Sequence, residues 1–159
     1  MATESRDRSD DGPVVVRYDD SPAGSDALLC AIATAVESGA SLRIIHSYRV
    51  PAGPESPSSY LQRSHQAYLE TNELADRAEQ AIVNEHPGIE VERVIAHGPP
   101  NAVLGKHAAD ASVLVVPQRT RRGLIARYRA RSESRLVDLV SCPIVEAPPS
   151  DSQDDLTRS

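Results

Sequence analysis

Short β-branched runs alternate with stretches of helical periodicity along the middle of this chain, and that alternation leaves few folds open. Pro13-Val14-Val15-Val16 is the first apolar run, closed by the polar Arg17-Tyr18-Asp19-Asp20. Ser21-Pro22 reads as a helix start, with Ser at the N-cap and Pro at the first helical position. Leu28, Leu29, Ile32 and Val36 recur at helical spacing until Gly39 stops the helix. Leu42 to Tyr48 is the second strand, and residues 51–59, three prolines among serines, read as an exposed loop. A longer helix is expected over about 60–86, with Tyr60, Ala67, Leu74, Ala78 and Ile82 facing inward and Pro87-Gly88 ending it. Ile89 to Ala96 is the third strand, and its mix of apolar and charged positions (Val91, Glu92, Arg93, Val94) places it near a sheet edge. Gly98-Pro99-Pro100 turns into a short helix over about 100–109, and residues 112–116 form the fourth strand. A helix near 132–141, opened by Ser132 and Glu133, precedes a last strand at Ile144-Val145. Strict alternation of this kind implies one α/β domain built on a doubly wound parallel sheet.

Size and composition agree with that reading. A chain of 159 residues, 40 % apolar and 25 % charged, is large enough for one real core. With five Tyr, no Phe and no Trp, that core must come from Val, Leu, Ile and Ala, which suits parallel strands covered by helices. The segments 1–12 and 148–159 lack apolar periodicity and are expected to be disordered tails. No stretch approaches the ~20 apolar residues of a membrane span, and residues 1–11 carry no hydrophobic leader. Cys30 and Cys142 sit in apolar surroundings and read as buried reduced thiols of a cytoplasmic protein.

Charge is distributed very unevenly. Between Arg119 and Arg135 stand seven arginines (119, 121, 122, 127, 129, 131 and 135) against the single acid Glu133, a local charge of +6. The whole chain carries −6, so the remainder sums to −12. The cluster follows directly on Val113-Leu114-Val115-Val116. In doubly wound sheets ligands bind outside the carboxyl ends of the strands, where the winding reverses. With the first strand central, Asp19 lies on one lip of that crevice and residues 117–131 on the other.

Several of these segments resemble one family. Val14-Val15-Val16-Arg17-Tyr18-Asp19-Asp20-Ser21-Pro22-Ala23 is similar to the opening of universal stress proteins, whose pattern reads roughly VVVGVDGSPA. Leu42-Arg43-Ile44-Ile45-His46 resembles the family's second strand, and His97-Gly98-Pro99-Pro100 its G-x-P turn. Ala108 to Val116 resembles the approach to its fourth strand, and Ser141-Cys142-Pro143-Ile144-Val145 its ending. The resemblance runs from about residue 13 to 147. It implies an adenine-nucleotide alpha hydrolase-like domain with a five-stranded parallel sheet in the order 3-2-1-4-5. It also implies homodimers through the last strand, here Ile144 and Val145. Nucleotide-crevice positions carried over by resemblance are Asp19, Ser47 and Gly98.

The same resemblance exposes a departure. Many members bind ATP through Gly, two residues, Gly, nine residues, Gly, then Ser or Thr, after the fourth strand. Only backbone without Cβ can wrap a triphosphate closely and aim N–H groups at it. Aligned without gaps from Val116 to Cys142, this chain puts Pro117, Thr120, Ala130 and Arg131 at those places, with Gly123 the one glycine left in the segment. Pro117 lacks an N–H, and Thr120 and Ala130 resist positive φ. On the adenine side Asp19 remains, while neighbouring family glycines have become Arg17 and Asp20. ATP binding in the family's usual manner is therefore expected to be lost, and no cofactor is expected. The alternative is an adenine-nucleotide-binding, slowly hydrolysing protein with a divergent phosphate loop.

The arginines admit three readings. One is a solvated basic loop. A second is an acidic partner, either another protein or the chain's own Asp7, Asp10, Asp11, Asp151, Asp154 and Asp155. A third is a phosphorylated ligand or a nucleic-acid backbone held by Arg119, Arg121, Arg122, Arg127, Arg129 and Arg131. The acidic balance of the chain and the lone Tyr128 in the stretch argue against nucleic acid. Other chemistry is thin. His46 and His97 end neighbouring strands without a third metal ligand, and Asp19-Asp20 alone makes a poor cation cage. No Ser or Cys has a recognisable base beside it, Cys142 reads as a packing residue, and His65, His86 and His107 read as solvated. The sequence thus points to a stress-response or regulatory domain that acts by homodimerisation and partner association, without catalysis.

Overall fold

Val14, Val15 and Val16 expose no surface at all, because their strand is covered on both faces and paired on both sides. The computed structural model describes residues 12–117, 140 and 142–148. Within them β1 (Val14–Arg17), α1 (Pro22–Ser38), β2 (Leu42–Tyr48), α2 (Pro57–Glu85), β3 (Val91–His97), α3 (Pro100–His107), β4 (Val113–Pro117) and β5 (Ile144–Ala147) follow in turn. All strand pairs are parallel, in the order β3-β2-β1-β4-β5. The doubly wound sheet expected from the alternation is the sheet observed, with strand ends shifted by one or two residues. The expected tails lie outside the described residues save for Gly12 and Pro148, as does the helix near 132–141 save for Val140.

The pleat of β1 divides the core in two. Val14 and Val16 join Ala27, Leu28, Ala31, Ile32 and Ala35 of α1 with Leu42, Ile44 and Ile82. Val15 points the other way, into Ile45, Leu114, Val103, Leu104, Ala108 and Ala111. So α1 and α2 cover one face and α3 the other. Each buried Val, Leu or Ile among them contributes about 1.5–3 kcal/mol by leaving water, and each Ala less. Of the four residues read at helical spacing in α1, Leu28 and Ile32 are buried, while Leu29 and Val36 are 64 % and 52 % exposed. The stripe that meets the sheet is the small one (24, 27, 28, 31, 32, 35), and both residues lie about one position off it.

The second helix needs correction. It begins at Pro57, capped by Ser56, so part of the expected loop is helical. Its 29 residues span about 44 Å, whereas a seven-residue strand spans about 23 Å. Only Ala75, Ala78 and Ile82 are buried. Tyr60, Ala67 and Leu74 are half-buried, since the first half of the helix overhangs the sheet.

Two arginines bind the edge of the sheet to its surroundings. Arg93 on β3 pairs with Asp76 and Glu79 of α2, both at 2.6 Å, and its Nη1 donates to Asn72. Arg43 on β2 reaches Glu92 at 2.8 Å, grips Asp110 with both terminal nitrogens, and donates to the His107 carbonyl. It thereby ties β2, β3 and the turn before β4 together. Glu92 and Asp110 are exposed and regain water if released, which limits the worth of the network. Arg43→Met is expected to cost about 1–2 kcal/mol in urea unfolding, chiefly through the orphaned carbonyl and lost fork geometry.

Among the described residues His46 is the buried polar one of the core, 1 % exposed, with Nδ1 unpartnered and its ring edge-on to Tyr18 at 6.0 Å. Burial first, and then the charge of Arg93, lower its pKa to about 4. The folded imidazole stays neutral while the unfolded chain takes up a proton below about pH 6.5. Stability from this group is therefore whole above pH 6.5 and declines as pH falls toward 4. By pH 5 the loss amounts to about 2 kcal/mol. Urea unfolding at about pH 7 and pH 5 should show His46→Leu lacking that part of the decline. An unchanged decline in the variant would absolve His46.

Candidate functional site

The carboxyl edge of the sheet carries the turn Tyr18-Asp19-Asp20-Ser21, and the backbone of that turn dictates its chemistry. Tyr18 N–H donates to the Ile45 carbonyl at 3.0 Å, extending the ladder one residue past β1. Asp20 then takes φ 64°, the one positive φ of a non-glycine residue among those described. This is a place where the resembled family carries glycine, and Asp is among the few side chains that tolerate it. Its Oδ1 accepts from the Tyr18 hydroxyl at 3.1 Å. Burial, and next that hydrogen bond, raise the Tyr18 pKa and keep the phenol a donor.

Asp19 faces the start of α1. Its Oδ1 accepts from the Ser21 hydroxyl at 2.5 Å and from Ser21 N–H at 3.2 Å. Ser21 Oγ in turn accepts from Gly24 N–H at 3.0 Å, completing the helix N-cap. The carboxylate sits so close to the helix that a Cβ on Gly24 would lie 2.4 Å from Oδ1. Oδ2 is 3.3 Å from Arg17 Nη1. Burial works against ionisation here, but the Ser21 hydroxyl, the Arg17 charge and the Ser21 N–H hold the carboxyl below the usual range. A residue carried over as a nucleotide contact is thus the anchor of a capping relay.

The other crevice positions share the same edge without joining that relay. Ser47, half-buried near the end of β2, pairs with Ala96 on β3. Gly98 follows β3 with φ 143°, donates its N–H to the Tyr48 carbonyl at 3.0 Å and opens the turn into α3. Across the crevice, β4 continues through Pro117, which pairs with Ala147 of β5. Thr120, Ala130 and the candidate anion-binding residues Arg119, Arg121, Arg122, Arg127, Arg129 and Arg131 lie outside the described residues. The candidate dimer strand is at the sheet's edge, with Ile144 half-buried and Val145 39 % exposed.

The two histidines weighed as a metal pair do not meet. The register sets His46 opposite Ile95 and His97 opposite Tyr48. Tyr48 packs edge-on against both His97 at 5.2 Å and Tyr68 at 6.3 Å. His86 and His107 are half-buried, where solvated positions were expected, and His65 is exposed. Among the described residues no group of three His, Cys, Asp or Glu could hold a metal ion. Cys30 and Cys142 are free thiols, and burial raises the pKa of the Cys142 thiol. No described helix is long and apolar enough to cross a membrane. The Tyr18–Asp20 bond and the Arg17–Asp19 pair were not anticipated. The signal for both was present in the two charged residues standing where the family pattern has glycine.

Comparison with known proteins bears on this geometry. Among solved structures, a universal stress protein family protein from Burkholderia pseudomallei superposes with a TM-score of 0.66 at 19 % identity, covering 89 % of this chain and 98 % of that one. UspA from Lactobacillus plantarum gives 0.67 at 19 % identity, covering 86 % and 97 %. A universal stress protein in complex with cAMP gives 0.58 at 23 % identity, covering 87 % and 98 %. No curated protein sequence matches the chain. The sequence model of the Universal stress protein family, however, matches residues 12–146. That span takes in the whole sheet but for Ala147, together with the Asp19 turn, and by it this chain belongs to the universal stress protein family.

Proposed function

We propose that this stress protein acts by association, with itself and with a partner, and that triphosphate binding in the family's usual manner is lost. The observation that carries this is the engagement of Asp19. Its Oδ1 is used by two bonds from Ser21 and its Oδ2 faces Arg17, so the crevice acid is committed to the helix start. The residues present do not suit a nucleoside triphosphate. Asp20 sets a second carboxylate at the crevice mouth, and Pro117 offers no N–H where the phosphate loop begins. With Pro117, Thr120, Ala130 and Arg131 in the sequence where the family's phosphate motif has glycines and Ser or Thr, the reading assigns a regulatory role and no ATP hydrolysis.

Two surfaces serve association. β5 is the outer strand beside β4, with Val145 exposed, so a second copy can add antiparallel and cover two open edges at once. The arginines from Arg119 to Arg131 supply a positive segment for an acidic partner. The free thiols of Cys30 and Cys142 suit a reducing cytoplasm. A second reading, adenine-nucleotide binding, draws on the cAMP complex of one relative.

Thermal unfolding at low salt with ATP, ADP, AMP, cAMP and inorganic phosphate separates the readings. The expected outcome is no rise in Tm at millimolar ligand. Saturation to 100 Kd would add about 2.7 kcal/mol and several degrees, and such a rise would establish the second reading. Sedimentation of the full chain at about 500 mM NaCl, where contacts between exposed charges are screened, is expected to give a dimer that Val145→Lys converts to monomer. A wild-type monomer, or a variant that stays dimeric, removes β5 as the interface.

A further inference from the structure

At the amino edge of the sheet, opposite the crevice, the last turns of α1 and α2 converge on a cavity of about 540 Å³. Val36, Ala40 and Ile89 give it an apolar floor, and Glu85, His86 and Glu90 stand around it. Both glutamates are exposed. Among the described residues no Lys or Arg lines the cavity, and neither helix carries a basic residue in its last turn. The final carbonyls of a helix lack intrahelical partners and present about half a negative charge. Two such ends and two carboxylates therefore face one opening to which the described residues bring no Lys or Arg. At its rim a Cβ placed on Gly39 or Gly88 would meet nothing within 4 Å among the described residues.

The chemistry that fits is a guanidinium. Its plane and aliphatic stem can lie on Val36 and Ile89 while its N–H fork reaches carboxylates and helix carbonyls. One segment of this chain offers guanidiniums in number, the +6 stretch from Arg119 to Arg135. Its attachment points lie away from its own cavity. The chain leaves β4 at Pro117 on the carboxyl edge, and on return Val140 and Cys142 pack with the α3-face cluster, across the sheet from α1 and α2. We infer that the cavity between the carboxyl ends of α1 and α2 receives the arginine-rich segment of a second copy, in a head-to-tail contact. The inference rests on the association reading above and names the acidic partner of the arginines. Because the two surfaces differ, the contact repeats from copy to copy and builds species larger than the β5 dimer.

Sedimentation velocity on the full chain at about 20 mM and about 500 mM NaCl tests this. At low salt, species larger than a dimer are expected to grow with concentration. The high salt should weaken them at least about tenfold. Glu85→Gln with Glu90→Gln should abolish them, and so should Arg127→Ala with Arg129→Ala and Arg131→Ala. An equimolar mixture of the two variants should recover a complex, because one keeps the segment and the other keeps the cavity. A synthetic peptide of residues 118–135, in excess, should dissolve the wild-type assemblies. If the glutamate variant associates like wild type while the arginine variant does not, the arginines engage another acidic surface and the cavity assignment falls. If wild type shows no salt-sensitive association at all, the cavity assignment falls together with the association reading of the arginines.

Discussion

Because β1 lends its backbone to β2 on one side and to β4 on the other, its three valines see water on neither face. A slip of one residue would carry Val15 into the α1 layer and Val14 and Val16 into the α3 layer, exchanging the members of both clusters. That penalty fixes the register, and the register fixes where the chain emerges. Tyr18, Asp19 and Asp20 leave at the carboxyl edge beside the end of β2, with Pro117 across the gap on β4. The crevice is a consequence of how the central strand is buried.

What fills the crevice follows from the turn that leaves β1. Asp20 holds a left-handed conformation at some cost in strain, of order 1–3 kcal/mol for a non-glycine residue. Its bond from the Tyr18 hydroxyl offsets part of that. Asp19 spends its charge on Ser21 and Arg17, and Gly24 leaves it the room to do so. These residues form a locally satisfied helix entry. The family scaffold is retained while these polar residues of the turn serve the helix start.

Much of the architecture was legible because strand and helix periods differ so clearly. The β-branched runs at 14–16, 42–48 and 113–116 gave the strands, and the charged alternation around Glu92 and Arg93 gave the edge position of β3. Periodicity was less informative where helices leave the sheet. Leu29 and Val36 matched a helical spacing yet lie off a stripe made chiefly of alanine, which a hydrophobicity pattern ranks below leucine. Tyr60 and Leu74 belong to a correct helical face with no sheet beneath most of it. In the site, the family resemblance marked Asp19 and Gly98, but the partners of Asp19 depend on side-chain bonds to residues two positions away on either side. The burial of His46 depends on the covering helix, which the local sequence of β2 does not reveal.

The central claim is that the crevice acid belongs to the helix cap and that no nucleotide displaces it. Amide chemical shifts of the turn from Tyr18 to Gly24, followed by two-dimensional NMR while ATP and AMP are titrated to millimolar levels, report on it directly. The account predicts that these amides, and that of Gly98, stay in place. Saturable shifts of the Ser21 and Gly24 amides, with Gly98 moving in step, would contradict it and return the crevice to nucleotide binding.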